Sequence, residues 1–258
     1  PAQAAPAILK LATTTSTYFT GLLEWLNPPF EKQHNVRIHT IAVGTGKALR
    51  LGENGDVDVV LVHAPKAEKK FVAAGYGVGR RSVMYNDFVI VGPMADPAKI
   101  SGIGDIAAAF RRIAAGGAVW VSRGDDSGTH KKEAALWRAA GLEPEGAWYR
   151  SLGQGMGETL RATDEMRAYT LSDRGSFLFF SAWGKVDLKV LLGGGKELLN
   201  PYGVIAVNPG RHSHVRYDLA IKYIRFLTSP DGQRLIGAFR LKGKKLFHPA
   251  AAPPGPGN

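Results

Sequence analysis

Short apolar runs recur along this chain. Each closes on a corner rich in hydroxyl or glycine residues and leads into a helical stretch. Residues 8–12 run into Thr13-Thr14-Thr15-Ser16-Thr17, and residues 36–43 into Gly44-Thr45-Gly46-Lys47. Ala118-Val119-Trp120-Val121 enters Ser122-Arg123-Gly124-Asp125-Asp126-Ser127-Gly128-Thr129. Residues 149–152 end in Gly153-Gln154-Gly155-Met156-Gly157, and Ala168-Tyr169-Thr170-Leu171-Ser172-Asp173 precedes a helix carrying Phe177, Phe179 and Phe180. Strands that alternate with helices predict an α/β protein with mainly parallel sheets. Open sheets of that kind bind ligands where strands end and helices begin. Two longer extended runs, 83–92 and 200–207, interrupt the alternation.

The corner at 122–132 has the most explicit chemistry. With Asp126 as N-cap, Ser127, Gly128 and Thr129 fill the first helical turn, whose backbone N–H groups have no partner within the helix. Such a turn favours anions, and Arg123 adds a fixed cationic fork suited to a tetrahedral oxyanion. The competing reading is an ordinary strand–loop–helix corner in which Arg123 pairs with Asp125. Five successive hydroxyl residues at 13–17 exceed what one helix cap needs, which points to ligand contact there as well. The helix after them, 18–26, is expected to kink or end at Asn27-Pro28-Pro29.

Other chemistries lack their residues. The 258 residues include no cysteine, so disulfides and thiolate metal sites are excluded. His212 and His214 have no third ligand at a matching offset, and His130 reads as a surface residue. Gly-x-Ser-x-Gly is absent. A phosphate loop would need glycine and Ser/Thr where Ile41 and Ala48 stand, so Gly44 to Lys47 reads as a turn opening a short helix. Adjacent carboxylates such as Asp125-Asp126 serve turns and caps, so no enzymatic activity is expected. The net charge of +11 is distributed over scattered pairs such as Arg80-Arg81 and Lys131-Lys132, which argues against nucleic acid as a partner. No apolar run approaches the roughly 20 residues of a bilayer span. Residues 1–7 lack a charged, apolar signal segment and read as the mature start of an exported protein or a flexible arm. Residues 250–258 read as a disordered tail.

Taken together, Thr13–Thr17, Ala42-Val43-Gly44-Thr45-Gly46-Lys47-Ala48-Leu49, Gly55-Asp56-Val57-Asp58 with the run to His63-Ala64, Met84-Tyr85-Asn86-Asp87-Phe88, residues 122–132 and Asn200-Pro201-Tyr202-Gly203 resemble the TupA-type tungstate-binding proteins. These are the extracytoplasmic receptors of tungstate ABC importers, and the match runs from about Leu9 to about Pro249. The resemblance implies a class II periplasmic-binding-protein fold: two α/β lobes joined by two extended crossovers, with the oxyanion in the cleft. The lobes would be 1–87 with 203–258, and 88–202. Ligand contacts carry over onto Thr14, Thr15 and Ser16, and onto Arg123, Ser127 and Thr129. Gly155, Met156 and Gly157, with Tyr169 and Thr170, are further candidates. The implied ligand is tungstate or molybdate, with no cofactor and no cation site. The implied partner is a membrane permease, and the implied setting is the periplasm, as a monomer. Tungstate is an unprotonated dianion at neutral pH, so an all-donor site predicts an affinity that is flat between about pH 6 and 8. Phosphate, partly protonated there, would want an acceptor such as Asp125 or Asp126. It remains the alternative ligand, and a phosphoryl-handling enzyme the alternative class.

Overall fold

The computed structural model describes residues 5–182 and 184–251. The chain forms two compact units, one running to Tyr85 and resuming at Pro201, the other Asn86–Asn200. Each division falls two residues before the boundary expected from sequence.

The first unit opens with β1 (Ala7–Thr14), α1 (Thr15–Phe19), α2 (Leu22–His34) and β2 (Val36–Val43). Then come α3 (Thr45–Asn54), β3 (Val59–Val62), α4 (Pro65–Ala73) and the long β4 (Gly77–Pro93). β1 lies between β2 and β3, parallel to both, in registers that pair Thr14 with Val43 and Thr13 with Leu61. The carboxyl ends of three strands are therefore level, and α1, α3 and α4 start from them. The sheet is mixed, not mainly parallel as expected: after the unit resumes, β9 runs antiparallel to β3. A strand that brings the chain back enters against the grain of those it left. Ala12, Leu49, Val60, Phe71 and Ile205 form one core of this unit.

In the second unit, α5 (Ile106–Ala115), β5 (Trp120–Ser122), α6 (Gly128–Ala139) and β6 (Tyr149–Ser151) precede α7 (Met156–Glu165). After these come β7 (Thr170–Asp173), α8 (Arg174–Ala182), β8 (Leu188–Gly193) and β9 (Leu199–Val207), which returns the chain to the first unit. Here β5 and β6 are parallel, while β7 and β8 pair antiparallel with the Phe88–Pro93 stretch of β4. The core is aromatic: Phe110, Trp120 and Trp137 meet with ring centroids 4.4–5.2 Å apart. The first unit closes with α9 (Tyr217–Thr228), α10 (Pro230–Ala238) and short strands β10 (Arg240–Leu241), β11 (Lys244–Lys245) and β12 (His248–Pro249).

Two local expectations are overturned. Pro28 and Pro29 lie inside α2 instead of ending it, and the break comes earlier, at Gly21 in the left-handed region with φ 76°. Packing overrides the missing N–H groups: Phe30 is buried against Tyr223 at 5.1 Å, and the Tyr223 hydroxyl donates to Asn27 Oδ1 at 2.8 Å. Anchors on both sides of the prolines hold the turn that propensity alone would lose. At the other end, Ala250 and Ala251 belong to no loose tail, since their N–H groups bond Val83 O and Gln233 Oε1. The rest of that expected tail, 252–258, and residues 1–4 of the expected arm at 1–7 lie outside the described residues, while Ala7 of that arm opens β1.

Candidate oxyanion site

In the first unit the hydroxyl run is split between support and display. The Thr13 hydroxyl donates to Leu61 O at 2.8 Å and ties β1 to β3. Thr14 is the N-cap of α1: its oxygen accepts from Thr17 N–H and lies 2.7 Å from the Thr17 hydroxyl. Thr15 and Ser16 follow in the first helical turn, both half-buried. Ser16 Oγ lies 3.4 Å from Nε2 of buried His63, whose ring packs on Tyr202 at 4.8 Å. Gly44 caps α3 in extended conformation, so that corner is the opening of a helix, as its sequence suggests.

In the second unit, Arg123 follows the last residue of β5. Its guanidinium donates to Asp125 Oδ2 at 2.6 Å, so the competing sequence reading is right about the pair. The pair is partly buried at the rim of the corner: Asp125 as a residue is exposed, but the two side chains are only 11% and 21% exposed, and Arg123 Nε is buried with no hydrogen-bond partner. Asp125 Oδ1 also accepts from Ser127 N–H at 3.2 Å. Burial alone would raise the Asp125 pKa, but the Ser127 hydrogen bonds and the Arg123 charge outweigh it and hold it below the usual carboxylate range. The aspartate therefore fixes the arginine as an ionised partner.

The cap of α6 is Ser127, not Asp126 as the sequence suggested. Asp126 sits one residue earlier with φ 58° and turns its exposed carboxylate to Lys131 Nζ at 2.7 Å. His130 is held by the same turn, its Nδ1 accepting from Asp126 N–H. Thr129, 3% exposed, has a hydroxyl with no partner among the described residues. Gly124, φ 61°, is required here: a Cβ would stand 1.9 Å from Ser151 Oγ on the neighbouring strand.

That neighbour brings in a second helix start. Leu152 N–H bonds Ser122 O and Gln154 N–H bonds Arg123 O, so the loop after β6 is stitched along the one after β5. Gly155, the N-cap of α7, follows directly on Gln154, so the start of α7 lies beside Arg123, four residues before the Ser127 cap of α6. Both turns present unpaired backbone N–H groups and positive dipole ends. The Met156 side chain belongs to the core cluster of Val89, Val91 and Leu160, which leaves only its backbone available to a ligand. Gly157 is a packing residue, because a Cβ would meet the Phe180 ring at 2.5 Å.

Two sequence candidates leave the site. The Tyr169 hydroxyl donates to Asp96 Oδ1 at 2.9 Å and accepts from Ala98 N–H at 2.8 Å. Thr170 Oγ1 donates to Val121 O at 2.6 Å, and both side chains are fully buried. Thr170 thus braces β7 against β5 and Tyr169 holds the 96–98 turn, so both hydroxyls are engaged within the protein. Conversely, sequence reading passed over Glu133 and His63. The signal for Glu133 was present: with Leu136 and Trp137 three and four positions on, it stands on the apolar face of its helix. Among the described residues there is no group of metal-ligating side chains, and no helix is long and apolar enough to cross a membrane.

Two α/β units linked by long strands, with donors gathered where strands give way to helices, define a class of ligand-binding protein. A family model for a PBP superfamily domain matches residues 1–231. The tungstate-binding protein TupA of Peptoclostridium acidaminophilum is 46% identical over 246 residues, covering 94% of this chain and 85% of that protein. The crystal structure of a tungstate ABC transporter protein from Geobacter sulfurreducens is 55% identical, with TM-score 0.84 over 90% of this chain and 98% of that one. TupA from Desulfovibrio alaskensis G20 is 49% identical, with TM-score 0.85 over 95% and 100% of the two chains. The chain belongs to the PBP superfamily and, within it, to the TupA tungstate-binding proteins.

Proposed function

We propose that this protein captures tungstate, with molybdate as its close chemical analogue, and delivers it to the permease of an ABC importer. The observation that carries the reading is the Arg123 corner. One arginine, with Nε buried and unbonded, is flanked by two helix N-termini and the free Thr129 hydroxyl. Such an arrangement offers donors to a small dianion without surrendering a proton to it. Ser127, Thr129 and the backbone at Gly155 and Met156 are the donors we assign in the second unit. Thr15 and Ser16 are those we assign in the first, with Thr14 shaping their turn. The anion is held and released unchanged, with no catalysed step, at the outer side of the membrane that houses the permease.

A phosphate receptor would need a free acceptor for the phosphate proton. Both oxygens of Asp125 are engaged, by Arg123 and Ser127 N–H, and Asp126 faces Lys131, which favours the unprotonated dianion. A calorimetric panel of tungstate, molybdate, sulfate and phosphate tests the assignment. Tungstate and molybdate should bind, phosphate should fail to compete, and sulfate, an unprotonated dianion like tungstate, reads how far anion size discriminates. Phosphate binding as tight as tungstate would move the assignment to the phosphate receptor, and turnover of a phosphate ester would make it an enzyme.

A further inference from the structure

Behind the anion corner lies a buried carboxyl group that is none of the donors assigned to the ligand. Glu133 stands on α6 one turn past Thr129 and is 1% exposed. The Tyr149 hydroxyl, from the start of β6, donates to its Oε1 at 2.8 Å. The Ser122 hydroxyl and the indole N–H groups of Trp120 and Trp137 face the same carboxyl, and none of the three closes a full hydrogen bond with any partner. Glu133 thus ties α6 to β6 and faces β5 at the residue immediately before Arg123.

Among the described residues no cation neutralises it. Just after β5, Arg123 is held by Asp125, and on β6 Arg150 is exposed while Tyr149 is the donor already named. On its own helix, Lys131 pairs with Asp126, His130 is tied to the Asp126 N–H, and Lys132 lies over the Phe88 ring under the influence of Glu197. From α5, Arg111 turns to Ala140 O and Asp105; on α7, Glu158 and Arg161 pair with each other in solvent. From β7 comes Asp173, buried and accepting from Ser176 N–H. Neutral donors alone therefore stabilise the ionised form of Glu133.

We propose that Glu133 is a proton-linked positioning residue of the anion corner, taking up a proton as the dianion binds at the start of its own helix. This rests on the oxyanion-binding function proposed above. Burial is the main reason the carboxyl titrates at about 7, with the Tyr149, Ser122 and indole donors opposing it. A dianion arriving at the α6 N-terminus adds like charge close by, raises that value further and so favours the protonated form. By linkage, affinity must then rise as pH falls through neutrality. If the bound anion raises the Glu133 pKa by about one unit, tungstate binds about fivefold tighter at pH 6 than at pH 8. The flat profile expected from an all-donor site is replaced by a sloped one.

Calorimetric titration with tungstate at pH 6, 7, 8 and 9, in buffers of differing ionisation enthalpy, reads both the slope and the proton uptake. The parent should show both. Glu133→Gln keeps an acceptor for Tyr149 and cannot titrate, so it should bind at the parent's low-pH level throughout and take up no proton. A merely structural glutamate would instead give Glu133→Gln a uniform loss with the parent's slope intact, which overturns the proposal. Should Glu133→Gln fail to fold, Tyr149→Phe decides: removing this donor raises the Glu133 pKa and should move the midpoint of the profile to higher pH, and an unmoved midpoint overturns the proposal. A flat parent profile refutes the proton linkage alone, whereas no tungstate binding at any pH refutes the function on which it rests.

Discussion

Arg123 is the side chain on which the proposed site depends most, and the structure sets what its loss should cost. Its terminal NH2 group is engaged by Asp125 at 2.6 Å, leaving Nε and the rest of the fork for the anion. Arg123→Lys keeps the charge but offers a single nitrogen, which cannot hold Asp125 and still bind the ligand in the fork geometry. The variant therefore loses about one charge-assisted hydrogen bond, worth roughly 1.5–3 kcal/mol. That corresponds to about a tenfold to hundredfold weaker tungstate affinity. Arg123→Glu sets a second carboxylate beside Asp125 and the dianion and should abolish binding. Calorimetric titration of parent and both variants measures the loss, and thermal melting checks that each is folded. Parental affinity in folded Arg123→Glu would show that this arginine serves Asp125 alone and would refute its place in the site.

Two neighbouring substitutions separate support from ligation. Ser127→Ala removes the α6 cap that accepts from His130 N–H, so stability should fall by about 1 kcal/mol, with a severalfold loss of tungstate affinity. Unchanged melting and binding would remove Ser127 from both roles. Gly124→Ala forces a side chain into φ 61° and onto Ser151 Oγ, which should cost about 1–3 kcal/mol and weaken tungstate binding by displacing Arg123. A stable variant with parental affinity would mean that the β5–α6 turn is free to rearrange without affecting the ligand.

Much of this molecule was legible in its residues because the governing physics is local. A strand that stops at hydroxyls or glycines and restarts as a helix declares its corner within about ten residues, and Arg123, Ser127 and Thr129 lie within one such stretch. The same holds for the start of α10, where Ser229 stands directly before Pro230 and its hydroxyl accepts from Gly232 N–H. Tertiary structure decided what long-range partners decide. Tyr169 and Thr170 are further ligand candidates by resemblance, yet Asp96, Ala98 and Val121 take up their hydroxyls. The Pro28-Pro29 pair reads as a helix kink or end, yet the helix runs on through it, with Phe30 and Asn27 held by α9. The stitching of Gln154 to Arg123 makes one corner out of two helix starts far apart in the chain, and the burial of Glu133 turns a helical carboxylate into a group that titrates near neutrality. In each case the residue's chemistry was written in the chain. Whether that chemistry was left free for a ligand depended on which distant donor or acceptor the packing brought to it.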